Sequence, residues 1–163
     1  MTILAKDLRP KALYVLTGLL VFQGISALFG GFMLIGDPTG GWLQMPLAAL
    51  DGTPFGDYLI PGLILFLVLG VYPLVVAHAL GRKAPWRPRS GLEGLTGMHW
   101  AWLASLSVGV VLVVWIFVQG LMIGFDHPLQ VIYLLLGLVL IWLALLPAIR
   151  RDRAVPEQLR GRW

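Results

Sequence analysis

The sequence predicts an all-α fold, an integral membrane antiparallel four-helix bundle, on three observations. Hydrophobic residues make up 58% of the 163-residue chain and charged residues only 12%, proportions far from those of a soluble domain. Four uncharged apolar runs, 12–35, 58–80, 100–125 and 128–149, are each long enough to cross a hydrocarbon core of about 30 Å at 1.5 Å per residue. All twelve lysines and arginines fall on one side of that arrangement. With no cysteine in the chain, a disulfide scaffold, a cysteine-zinc site and a thiol redox enzyme are excluded.

The first run follows Lys6, Arg9 and Lys11. It is about twice as long as a signal-peptide core and leads into Gly30, Gly31 and Gly36, which suit helix packing better than cleavage, so a retained span is expected. The second run is entered through Thr53, Pro54 and Asp57, expected to be its cap, first helical position and first-turn acid. Pro61 and Pro73 should bend it, because each removes a backbone donor. The third run carries small residues at helical spacing, Ala101, Ser105 and Gly109, then Gly120 and Gly124, which let backbones approach closely. Asp126, His127 and Pro128 mark a tight hairpin into the fourth run. The chain ends in a basic tail, 150–163.

Orientation follows from the basic residues. Lys6, Arg9 and Lys11 precede the first span; Arg82, Lys83, Arg87 and Arg89 lie between the second and third; Arg150, Arg151, Arg153, Arg160 and Arg162 follow the fourth. The positive-inside rule therefore makes both termini and the loop 81–98 cytoplasmic. Twelve bases against Asp7, Glu93, Asp152 and Glu157 leave the inner side at +8, while Asp37, Asp51, Asp57 and Asp126 set the outer side at −4. The net charge of +4 thus reflects topology and attraction to anionic lipid headgroups, not a nucleic-acid site. Trp86, Trp100 and Trp102 are expected in the inner aromatic belt, and Trp42 with Tyr58 in the outer one.

The two halves read as two copies of one hairpin. Gly31-Phe32-Met33 matches Gly120-Leu121-Met122, and Phe66 to Gly70 matches Tyr133 to Gly137, which would give a parallel repeat about an axis along the membrane normal. The first copy carries an enlarged outer loop, 36–57, whose apolar middle between Trp42 and Leu50 is expected to be ordered and to lie on the outer membrane surface.

The stretches Asp37-Pro38-Thr39-Gly40, Met45-Pro46-Leu47, Thr53-Pro54-Phe55 and Asp57 to Leu63, with Trp115 to Gln119 and Leu129 to Tyr133, carry a resemblance. In these the chain resembles a widespread group of small, uncharacterised bacterial four-span inner-membrane proteins. The resemblance covers most of the chain and implies a bacterial inner-membrane bundle; it transfers no catalytic residues.

Chemistry is sparse. No carboxylate lies within a span, so a proton or ion relay lacks the embedded charge that it needs. Gln23 and Gln119 are the main deep polar side chains and are expected to hydrogen-bond between helices. His78 and His99 fall at similar depth near the cytoplasmic ends of the second and third spans, where two imidazoles could ligate a haem iron. Asp37, Asp51, Asp57, Asp126 and His127 could converge on the outer face as ligands for a divalent cation, but no spacing supports it, and helix capping and acidic loop solvation are expected, with Trp42 as an interfacial anchor of the same loop. No serine stands in a nucleophile elbow and no glycine loop leads into Lys and Ser or Thr. The sequence therefore points to a non-enzymatic membrane protein, a structural or accessory subunit whose partners are membrane lipids and other membrane proteins or further copies of itself. The alternative is a binder of a lipophilic ligand or haem between the helices.

Overall fold

The computed structural model of the chain describes residues 2–82, 100–125 and 127–152. Among them are four helices long and apolar enough to cross a membrane, and together they form the all-α bundle. The first is one continuous helix, Thr2–Gly36, whose spanning portion is Lys11–Gly36. The second span, Leu59–Arg82, is built from α-helix Leu59–Phe66, a π-helical turn Leu67–Val71 and α-helix Tyr72–Arg82. The third is Trp100–Ile123 and the fourth Pro128–Leu145, followed by a short helix Pro147–Asp152.

The spans pair as two antiparallel hairpins. The third span meets the second chiefly along its C-terminal half, Tyr72–Arg82, and the first span meets the fourth and the short terminal helix, so the four close around a shared core. Leu16, Leu20, Leu69, Val76, Leu112 and Leu140 are buried there. Glycines set the hairpin spacing. A Cβ on Gly31 would lie 2.7 Å from the Phe66 backbone nitrogen, and one on Gly62 would lie 2.8 Å from the Leu34 Cβ. Both hairpins also contain a glycine facing a glycine carbonyl, Gly24 against Gly70 and Gly109 against Gly137, each 3.0 Å from a Cβ built on the first residue. At most a third of the most apolar stretch of any span is buried within the chain. The outward faces are apolar, as in Phe22, Ile25, Phe29 and Phe32 of the first span.

The element ends differ from the sequence expectations for local reasons. Pro61 falls in the first turn of its helix, where a missing N–H breaks no helical bond, so it does not bend the span. Pro73 does perturb it: its ring lacks the N–H that would reach the Leu69 carbonyl, and the π turn immediately precedes it, with the Tyr72 N–H donating to the Leu67 carbonyl. Thr53 and Pro54 do not open the second span. The Thr53 hydroxyl accepts from the Phe55 N–H at 3.3 Å, and Asp57 caps the helix from outside by accepting the Leu59 N–H at 2.9 Å. The third span stops at Ile123, where Gly124 takes a left-handed conformation (φ 87°) and its N–H reaches the Gly120 carbonyl at 2.9 Å. The fourth span ends at Leu145 rather than at Ile149, because Leu146, preceding Pro147, is extended (ψ 133°).

Candidate functional site

Two regions concentrate the polar groups: the bundle interior and the outer cap that joins the first two spans. In the interior, Gln23 and Trp102 answer helix carbonyls beside the proline breaks, as a non-aqueous setting requires. Gln23 is buried midway along the first span, and its Nε2 donates to the Leu69 carbonyl that Pro73 cannot reach, at a long 3.5 Å. Trp102 is buried rather than placed in the inner belt, and its indole N–H donates to the Ala144 carbonyl at 2.7 Å, in the last turn before the break at Pro147. The Arg150 guanidinium stands 5.8 Å from the same ring. Gln130, not singled out by the sequence, donates to the Gly124 carbonyl at 2.9 Å, and its Oε1 accepts the His127 N–H at 3.4 Å. Its position three residues into a helix that opens on Pro128 was the available signal.

Gln119 plays no such part: it is half-buried and makes no side-chain hydrogen bond among the described residues. The link between the second and third spans is instead Tyr72 with Ser107, hydroxyl to hydroxyl at 2.7 Å. The Gln23 Oε1 is buried with no hydrogen-bond partner. A buried unpaired acceptor costs about 1–3 kcal/mol, more than a hydrogen bond of this length returns. Gln23→Leu is therefore expected to raise stability by about 1 kcal/mol in a detergent unfolding titration; a loss of that size would show that a water or another donor serves Oε1.

The outer cap is ordered. Two 3-10 turns, Gly41–Leu43 and Leu47–Leu50, follow the first span, with Gly40 (φ 80°) and Gln44 (φ 55°) in left-handed conformations. Tyr58 is buried beneath the cap instead of lying in the outer belt; its hydroxyl donates to the Pro46 carbonyl at 3.0 Å and its N–H to the Pro38 carbonyl at 2.9 Å. It packs with Leu34 and Leu50 in a small second core. Trp42 is more than half exposed, and its ring lies over Gly36, where any side chain would collide with it.

Among the described residues, the acids expected on the outer face, Asp37, Asp51 and Asp57, do different work and do not converge. Asp37 accepts from the Thr39 hydroxyl at 2.5 Å, the Thr39 N–H at 3.1 Å and the Trp42 N–H at 3.0 Å. The Thr39 hydroxyl holds its carboxyl below the usual value of 3.8; desolvation opposes this, and the N–H groups of Trp42, Thr39 and Gly41 add to the lowering. Because the folded value is depressed, ionised Asp37 stabilises the cap above about pH 3.8, and that contribution disappears as pH falls through the lowered value. Trp42 fluorescence is expected to report the change in acid, with a midpoint below 3.8 that Asp37→Asn removes. Asp57 is occupied by the Leu59 N–H, whereas Asp51 is exposed and its carboxylate makes no hydrogen bond among the described residues. His127 is exposed, and Asp126 lies outside the described residues. No group of three or more metal-ligating side chains occurs among the described residues.

Between the cap and the outer end of the third span runs an open groove of about 500 Å³, lined by Asp51, Gly52, Thr53, Pro54, Phe55, Val118, Leu121 and Met122. At the opposite end of the bundle, His78 is exposed on the surface of the second span. His99, the basic loop residues Lys83, Arg87 and Arg89, and the tail from Arg153 onward lie outside the described residues. No protein-family model, curated protein or solved structure matches the chain.

Proposed function

We propose that this membrane protein is a non-enzymatic accessory subunit of the bacterial cytoplasmic membrane. Both termini are cytoplasmic, and its apolar exterior packs against other membrane proteins or further copies of itself. The observation that carries this reading is the allocation of the buried polar groups: Gln23 and Trp102 are committed to helix carbonyls and Gln130 to the Gly124 carbonyl of the hairpin turn, and the spans hold no carboxylate and no lysine or arginine other than Lys11 and Arg82 at their very ends. Ion or proton movement needs ionisable groups at depth, whereas holding helices together needs what is found here. The resemblance to small bacterial four-span inner-membrane proteins supports the same location.

The exposed groove at the outer edge favours a second reading, that of a lipophilic-ligand binder. Haem is the weaker form of it, since His78 is exposed rather than facing the bundle interior.

Extraction in native polymer nanodiscs tests the accessory role. A stoichiometric membrane partner or a homo-oligomer is expected, and a solitary 17.9 kDa monomer overturns the proposal. Because the chain has no cysteine, single variants Arg87→Cys and Trp163→Cys report orientation without background. Both should react with an impermeant maleimide only after the inner membrane is opened; labelling in cells with an intact inner membrane overturns the orientation.

A further inference from the structure

The groove beneath the cap has two kinds of wall at one depth. Val118, Leu121 and Met122 belong to the last turns of a span that ends at Ile123, which sets the groove at the outer edge of the hydrocarbon layer. Opposite them stand Asp51, Thr53 and Phe55 of the cap. Leu121 is 68% exposed, and below it Val118, Val114 and Val110 are exposed at spacings of three and four residues, forming one apolar track along the third span toward the membrane centre. That track rises about 16 Å, on the scale of a phospholipid acyl chain.

The polar end of the groove has a definite sign. The outer-side segments 37–57 and 124–127 contain four aspartates and no lysine or arginine. Asp37 and Asp57 spend their carboxylates on backbone N–H groups of the cap and helix start. Asp51 alone among the described outer acids keeps its carboxylate clear of such bonds, and it lines the groove. A headgroup whose outermost charge is negative meets repulsion at that site; one ending in a primary ammonium meets a carboxylate able to accept a charge-assisted hydrogen bond.

From this combination of carboxylate and apolar track, the geometry points to a site for one lipid of the ethanolamine headgroup class, its ammonium on Asp51 and an acyl chain along Leu121, Val118 and Val114. The site requires the bilayer arrangement but no protein partner, so its loss would leave the accessory role standing.

Native mass spectrometry of the delipidated full-length protein, titrated with phosphatidylethanolamine, phosphatidylcholine and phosphatidylglycerol of identical acyl chains, tests it. The ethanolamine lipid is expected to be retained about fivefold to tenfold more than the glycerol lipid, with the choline lipid between them because its trimethylated nitrogen cannot donate. Asp51→Asn should bring the ethanolamine lipid down to the level of the glycerol lipid, and Val118→Trp, which narrows the groove, should reduce retention of all three. Equal retention of the three lipids by the unmodified protein, preference for the glycerol lipid, or an undiminished ethanolamine preference in Asp51→Asn overturns the assignment. Should Asp51→Asn fail to fold, the ranking of the three lipids on the unmodified protein, and its weakening at high salt, still decide the question.

Discussion

Trp102→Phe is expected to lower the unfolding free energy by about 1–3 kcal/mol, although it exchanges one buried aromatic ring for another. The indole N–H sits 2.7 Å from the Ala144 carbonyl, which lies in the last turn of the fourth span just before Leu146 leaves helical geometry ahead of Pro147. Phenylalanine fills most of the space but donates nothing, so the carbonyl is left buried and unpaired. Trp102→Ala should cost more, about 3–5 kcal/mol, because it adds a cavity beneath Arg150 to the lost bond. Steric-trapping or detergent unfolding titrations measure both. A Trp102→Phe variant as stable as the parent would show that the indole merely fills space.

The second large effect lies in the first hairpin. Gly31→Ala is expected to destabilise by about 1–3 kcal/mol, since its methyl group would lie 2.7–2.8 Å from backbone and Cβ atoms of Phe66. Backbone cannot turn away as the tip of a side chain can, so the first two spans must separate and the Gly62 and Gly24 contacts loosen with them. Gly18→Ala supplies the contrast on the same helix: nothing stands within 4 Å of the added carbon. There the higher helix propensity of alanine should leave stability unchanged or raise it by up to about 1 kcal/mol. Equal effects at the two positions would refute the close approach of the first two spans.

Both predictions concern features that the amino-acid order shows only in part. Gly31 reads as a packing residue from spacing alone, but its partner Phe66 does not, because nothing in an apolar run marks which backbone will come near. Trp102 sits two residues from the start of the third span, where a tryptophan ordinarily anchors at the interface. It moves inward here because the fourth span breaks at Pro147 and presents an unpaired carbonyl at the same depth. The same logic applies to Gln23, whose interhelical role was expected and whose acceptor, Leu69, is set by Pro73 four residues on. Gln119 has the same amide and a similar apolar setting, yet no freed carbonyl meets it.

The candidate site divides in the same manner. The acidic outer loop and its order were expected from Gly, Pro and Asp placement. The division of labour among Asp37, Asp51 and Asp57 was not, since it rests on which N–H groups the folded loop brings to each carboxylate. Tyr58 shows the limit most clearly. An aromatic residue at the end of an apolar run has the composition of a belt residue, and only the fold of the cap over it, with the Pro46 carbonyl in reach of its hydroxyl, places it in a core.

Hydropathy and run length by themselves determined four spanning helices, because the absence of water in a bilayer leaves the backbone few alternatives to forming its hydrogen bonds within each segment. The lateral order of those helices, the breaks at Pro73 and Pro147, the residues that satisfy the carbonyls beside them, and the fact that Asp51, among the described residues, keeps its carboxylate unoccupied were decided by tertiary structure. Each depends on distances between segments far apart in the chain, and lipid-facing and helix-facing apolar residues carry the same chemical signature until packing separates them.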